Sequence, residues 1–232
     1  MNFSIVIPAY NEAETVASVV NELEQALEPV EQSFEIVVVD NGSTDDTEIV
    51  LQRLRGTSPR VKTVRVFPNK GYGNGILVGL QATSGDVVGW MHADKQVLPE
   101  DVARVYTTLK TERADLCKIV RVSRAEALWR RLQSTMYNGL FRALFGGVCQ
   151  DINASPKIFR RSLYEWSRLE SKDWFLDPEI MIKAIQGKYQ IREVEVSWQS
   201  RKGGKSKVAW TTGWEFLKHM LWYKFHPYQH QP

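Results

Sequence analysis

Cysteine is scarce, with 2 in 232 residues. Cys117 and Cys149 form neither a Cys-x-x-Cys pair nor a zinc spacing, so they read as the reduced thiols of a cytosolic protein. Long apolar runs are missing too. No stretch approaches the ~20 residues that a membrane-spanning helix needs, so the chain is not expected to cross a bilayer. A formal net charge of +3 is too mild to point to nucleic acid. The N-terminus runs directly into a strand-like segment and carries no signal-peptide pattern. The 4 histidines lack metal-ligand spacing. Gly71, Gly73 and Gly75 miss the spacing of a dinucleotide fingerprint, and the full P-loop pattern is absent.

What is present is an ordinary globular composition, 43% hydrophobic and 25% charged, on a chain long enough for one large domain. The first half alternates strand and helix. Phe3 to Ile7 is a β-branched run ended by Pro8, and Asn11 with Glu14 reads as a capping box opening a helix through Val16, Val19, Val20, Leu23 and Leu27. Phe34 to Val39 is a second strand, ending at Asp40, and Ile49, Val50 and Leu54 mark a second helix. Val61 to Phe67 is a third strand, then the glycine-rich loop and a helix through Leu80. Val87 to Met91 is a fourth, short and apolar throughout, before Pro99 opens another helix. Repeated βα units predict an α/β protein with a mostly parallel central sheet flanked by helices.

The right-handed crossover rule puts the loops that end these strands on one edge of the sheet, where open α/β sheets bind ligands. Asp94 stands there after the fourth strand and can hold a hard divalent cation, with the Gln96 carbonyl two residues on. The alternative reading is a surface Asp before a helix. Asp40 can accept from a base or ribose, or merely cap a turn. Lys70, flanked by glycine, can meet a phosphate.

Together, Ile5-Val6-Ile7-Pro8-Ala9-Tyr10-Asn11-Glu12, Val37 to Thr47 (VVVDNGSTDDT), Asn69-Lys70-Gly71 and His92-Ala93-Asp94-Lys95-Gln96 before Pro99-Glu100 resemble the family 2 inverting glycosyltransferases. The resemblance implies a GT-A fold and a nucleotide-sugar donor on Pro8, Tyr10, Glu12, Asp40, Ser43, Lys70, Gly71, His92 and Asp94. It also implies a divalent cation, Mg2+ or Mn2+, on Asp94 and Gln96. That family's metal motif usually reads Asp-x-Asp; here His92 replaces the first acid, with a donor contact and a structural role both open.

In the second half, Asp115 to Val120 reads as a strand ending at Arg121, and Ala125 to Phe145 as a helix interrupted by Arg130, Arg131 and Arg142. That helix can lie on an anionic surface or pack on the sheet with its arginines in water. Asp151 follows and is expected before a short helix. Trp174 to Ala184 carries Asp177 and Glu179, and Ile191 to Trp198 is a late strand leading to a basic loop, Ser200 to Val208. This half is similar to the dolichyl- or polyprenyl-phosphate sugar synthases. The similarity implies an acceptor phosphate on Arg121, Arg130, Arg201, Ser206 and Lys207, with Asp94, Asp151 and Arg201 as the catalytic set. The subgroup's Gly-Phe after its acidic residue is replaced by Asn153-Ala154-Ser155-Pro156.

Thr211 to Phe225 mixes Trp214, Phe216, Leu217, Met220, Leu221, Trp222 and Tyr223 with cations. That composition suits a helix lying flat at a membrane interface, a contact with a second copy of the chain, or a helix packed on the core. The expected organisation is a catalytic domain over 1–210, with a nucleotide-sugar half over 1–115 and an acceptor half over 116–210. An amphipathic C-terminal helix and tail follow over 211–232.

The favoured function is transfer of a UDP- or GDP-linked sugar to a polyprenyl or dolichyl phosphate, by a protein peripheral on the cytoplasmic membrane face. A phosphate acceptor is already anionic and needs no general base, only cations such as Arg121, Arg130 and Arg201. The alternatives are a saccharide hydroxyl acceptor, with Asp151, Asp177 or Glu179 as base, and a non-catalytic sugar-nucleotide-binding protein.

Overall fold

The computed structural model describes residues 1–123, 128–147, 149–197 and 212–226, without the side chains of 123, 128–134 and 212–214. The strands are β1 (Phe3–Ala9), β2 (Phe34–Asp40), β3 (Val61–Arg65), β4 (Val87–Trp90), β5 (Leu116–Ser123), β6 (Lys157–Arg160) and β7 (Ile191–Ser197). The helices are α1 (Val16–Leu27), α2 (Thr47–Thr57), α3 (Tyr72–Gln81), α4 (Pro99–Thr111), α5 (Leu128–Phe145), α6 (Arg161–Ser167), α7 (Leu176–Gln186) and α8 (Thr212–Phe225).

The seven strands among the described residues form one sheet in the order β3-β2-β1-β4-β6-β5-β7. β1 pairs in parallel with β2 and with β4, β2 with β3, and β5 with β7. β6 runs antiparallel to both its neighbours, β4 and β5. The mostly parallel α/β sheet expected from the βα repeats is what forms. Alternation along buried strands feeds two cores. Ile5, Ile7, Ile36 and Val38 face α1, α2 and α4, while Val6, Val37, Val39 and Trp90 face α3, α5, α6, α7 and α8.

Several local expectations change. β1 continues through Pro8 to Ala9, in register with Val39 and Asp40 of β2. The capping box does not form: α1 begins at Val16 behind Thr15, without a side-chain cap. Asn11 instead takes a left-handed φ of 55° and serves the loop after β2. The short helix expected after Asp151 is α6, but an unexpected strand comes first: residues 157–160 form β6, which inserts reversed beside β4. Gly89 permits this, since a Cβ there would lie 2.5 Å from the Lys157 carbonyl oxygen.

α8 packs on the core through Phe216, Met220 and Tyr223, spaced for one helical face. Burying each such side chain contributes about 1.5–3 kcal/mol. Its opposite face leaves Trp222 and Phe225 51% and 76% exposed. The expected core contact of the C-terminal stretch is therefore present on one face only.

Candidate functional site

The parallel strands deliver their carboxyl ends to one edge, and the loops there are fastened to one another. Asn11 Oδ1 accepts from the Thr44 backbone N–H at 2.8 Å, and the Asn11 N–H donates to Ser43 Oγ at 3.1 Å. The Glu12 N–H donates to Thr47 Oγ1 at 2.9 Å. Asp45 accepts from the backbone N–H groups of Ala13 and Thr47 at 3.3 and 3.0 Å. Burial pushes its carboxyl up, and these bonds, those from Thr47 foremost, outweigh it to hold the pKa below the usual range. The turns after β1 and β2 thus form one polar unit.

The loop between β3 and α3 is fixed from the other side. Asn41 Nδ2 donates to the Gly71 carbonyl at 3.0 Å, and the Gly71 N–H donates to Asn69 Oδ1 at 2.8 Å. Gly71 has a φ of 106°, and a Cβ there would lie 2.5 Å from the Lys172 carbonyl. Only glycine fits that approach. Trp174 then stacks on Tyr72 with ring centroids 4.2 Å apart.

Between these loops lies a cavity of about 320 Å³, walled by Pro8, Tyr10, Glu12, Tyr72, His92, Asp94 and Trp174. Of the residues expected to bind donor, Pro8, Tyr10, Glu12, His92 and Asp94 are brought together there. Ser43 braces the wall from behind, through Asn11. Lys70 is exposed on the adjoining loop. Asp40 is buried at the end of β2, where its Oδ1 accepts from the Ser43 N–H at 2.9 Å. It lines a smaller neighbouring recess with Arg55 and Arg65 rather than the main cavity, and Arg65 Nε lies 3.5 Å from its Oδ2. Gln96 is outside the wall, but its backbone N–H donates to Asp94 Oδ1 at 3.2 Å. A carboxylate at the cavity wall with an imidazole two residues earlier is a donor set that fits a divalent cation.

From the wall at Tyr72 and His92 a polar relay that spacing alone did not reveal runs into the core at Asp177 and Lys157. Tyr72 hydroxyl contacts His92 Nε2 at 2.8 Å and donates to Asp177 Oδ2 at 3.2 Å. Asp177 Oδ1 also accepts from Trp90 Nε1 at 3.2 Å and from Lys157 Nζ. Burial pushes the Lys157 ammonium down to about 8 against the pull of Asp177. Burial likewise pushes the His92 ring down, so it is neutral near pH 7, and raises the Tyr72 phenol well above its ordinary value. A lysine at the start of the short run Lys157–Arg160, with an acid in the first turn of α7, was the available signal for this pair.

Asp151 pairs with Arg121 at the end of β5. Arg121 Nε donates to Oδ2 and Nη2 to Oδ1, both at 2.6 Å. Glu179 is fully buried, bonded to Lys183 Nζ at 2.6 Å and to the Ser171 N–H at 2.8 Å. The side chain of Arg130 lies outside the described residues, as do Arg201, Ser206 and Lys207.

Residues 4–166 match the family model for glycosyl transferase family 2. The chain is 35% identical over 166 residues to an undecaprenyl-phosphate 4-deoxy-4-formamido-L-arabinose transferase of Pseudomonas syringae, covering 70% of this chain and 48% of that one. A Sodalis glossinidius protein of the same name is 31% identical over 164 residues, covering 70% and 50%. The chain thus spans about half the length of the curated relatives it matches. Among solved structures, it is similar to glucosyl-3-phosphoglycerate synthase from Mycobacterium tuberculosis with Mn2+, UDP-glucose and phosphoglyceric acid, at TM-score 0.73 and 22% identity, covering 98% and 81%. It is also similar to S. aureus TarS 1–349 with UDP-GlcNAc, at TM-score 0.67 and 17% identity, covering 100% and 68%. These structures share its fold.

Proposed function

The chain belongs to glycosyl transferase family 2, and on that premise we propose that it moves a sugar from a nucleotide-sugar to a polyprenyl phosphate. Support comes from relatives named as undecaprenyl-phosphate sugar transferases and from the state of the acceptor-side carboxylates. A saccharide hydroxyl needs a base to take its proton, whereas a phosphate arrives ionised. Asp151, Asp177 and Glu179, the three acids suited by sequence to be that base, are each buried and held by a cation. That observation carries the preference for a phosphate acceptor.

The scheme is a single in-line displacement. A phosphate oxygen of the lipid attacks the anomeric carbon, the bond from that carbon to the donor diphosphate breaks, and the electron pair leaves with the nucleoside diphosphate. The configuration inverts and no covalent intermediate forms. Mg2+ or Mn2+, when bound, supplies Lewis-acid neutralisation of the leaving diphosphate, and Asp94 with Gln96 would hold it. Tyr10, Glu12 and His92 orient the donor in the cavity, with Asp40 reached through the adjoining recess and Ser43 beside it on the nucleoside side, and Lys70-Gly71 on the neighbouring loop for the phosphates. Arg121, held by Asp151, draws in the acceptor phosphate together with Arg130, Arg201, Ser206 and Lys207.

Among the described residues, no helix is long and apolar enough to cross a membrane. The proposal places the protein peripherally on the cytoplasmic face, through the exposed aromatic side of α8. The test is transfer from radiolabelled UDP- and GDP-sugars to undecaprenyl phosphate in detergent, with and without Mn2+ or Mg2+. Metal-dependent label in the lipid phase is the expected result. Donor turnover that labels a saccharide, with the lipid unlabelled, would overturn the acceptor assignment.

A further inference from the structure

The relay that runs from the cavity wall into the core has a direction, and that direction decides what His92 offers to the site. A carboxylate accepts but does not donate, and Asp177 receives Lys157 and Trp90 on Oδ1 and Tyr72 on Oδ2. Tyr72 has a single hydroxyl proton. If that proton went to His92 instead, the buried Oδ2 would lose its donor, a loss of about 1–3 kcal/mol. The proton therefore lies toward Asp177, and at the 2.8 Å contact His92 donates its Nε2–H to the phenol oxygen. In a neutral ring this leaves the lone pair on Nδ1.

We propose that His92 is a nitrogen ligand of the donor-site cation, held in that role by Tyr72 and Asp177, so that the site favours Mn2+ and Co2+ over Mg2+. The inference rests on the metal-dependent reading above and adds a ligand to it. His92 and Asp94 line the same cavity wall. Metal-binding imidazoles ordinarily donate their other ring N–H to an oxygen that is itself anchored, which fixes the tautomer and raises the basicity of the ligand nitrogen. Tyr72, anchored on Asp177, provides that oxygen. Exchanging an acid for an imidazole also changes selectivity. Mg2+ demands oxygen ligands, and affinity for a nitrogen-containing site rises from Mn2+ to Co2+ along the first transition row. The substitution of His92 for the family's first acid then retunes the cation site by setting a nitrogen ligand beside Asp94 and Gln96.

Pulsed EPR of Mn2+ added to the full chain with saturating UDP, and separately with GDP, tests this without reference to turnover. The expected result is a 14N coupling from a directly bound imidazole, absent in His92→Asp and His92→Gln. Mg2+ should compete with Mn2+ roughly tenfold better in His92→Asp than in the parent. Tyr72→Phe should weaken Mn2+ binding by roughly tenfold or more. Mn2+ that binds without nitrogen coupling, or coupling that survives in His92→Gln, overturns the proposal. Failure of Mn2+ to bind with either nucleotide would overturn the metal-dependent reading itself.

Discussion

Asp151 holds the Arg121 guanidinium with both carboxylate oxygens, at 2.6 Å each, across 30 residues of sequence. The fork-to-fork geometry fixes the cation at the end of β5, and the same two oxygens are those a general base would need. Asp151→Asn should therefore keep the pH profile of turnover and raise the KM for lipid phosphate several-fold, because Arg121 loses its orientation. Steady-state kinetics against pH, with the lipid concentration varied, check this. A loss of kcat of a thousandfold or more with unchanged KM would mark Asp151 as the base and favour a hydroxyl acceptor.

How far the sequence carries the reading differs between its halves. The loops after β1, β2 and β4 were legible because each closes a β-branched run with a polar motif, and parallel topology alone puts those ends on one edge. Tyr10, Glu12 and Asp94 meet there as expected. Tyr72 was hidden among glycines that read only as a phosphate loop. Lys157 and Asp177 were hidden because a buried ion pair joins residues that period and spacing treat separately. β6 was missed because four residues make too short a run to tell strand from helix, and because its reversed direction comes from pairing with β4 and β5. Asn11 illustrates a local pattern overridden: its side chain does better bridging two loops than capping α1.

Glu179 ties α8 to α7. Its Oε1 accepts from Lys183 Nζ at 2.6 Å and from the Tyr223 hydroxyl at 3.0 Å, all within the core. Removing the acid leaves Lys183 buried without its counter-charge, so Glu179→Ala should destabilise the protein by about 3–5 kcal/mol. The double variant Glu179→Leu/Lys183→Met, which removes both charges, should recover most of that. Urea unfolding of the three proteins measures it, and equal losses in the single and double variants would refute the account.

Glu35 gives the fold an acid sensitivity of known sign. Burial pushes its carboxyl up, but Lys62, Ser4 and Ser84 outweigh burial and hold it at about 2, against 4.5 for the unpaired group. The folded pKa is depressed, so the stabilisation is complete above 4.5 and is lost as pH falls from 4.5 toward 2. Glu35→Gln should be less stable than the parent by about 1–3 kcal/mol at pH 7. The gap should narrow below pH 4.5. Paired denaturant titrations between pH 3 and pH 7 read the gap directly, and a constant difference across that range would show that the contacts, not the charge, matter.

The outward face of α8 is aromatic and basic. Phe216, Met220 and Tyr223 are spent on the core, yet Leu221, Trp222 and Phe225 remain 39%, 51% and 76% exposed, with Lys218 and Lys224 on the same helix. On α5, Met136 and Leu140 are 66% and 38% exposed, and Arg142 of the same helix is exposed too. Aromatic side chains and cations together suit the interface of an anionic bilayer, where rings reach the acyl boundary and lysines stay with the headgroups. The full chain should float with phosphatidylglycerol-containing liposomes, and less so at high salt. Trp222→Ser/Phe225→Ser should remain in the soluble fraction with a thermal midpoint close to that of the parent, since neither ring is buried. Turnover of a short-chain, water-soluble polyprenyl phosphate should be unaffected in that variant, while turnover of a lipid embedded in vesicles should fall. If the parent itself stays wholly soluble, the exposed face of α8 is not a membrane contact, and a second copy of the chain becomes the occupant to test by sedimentation.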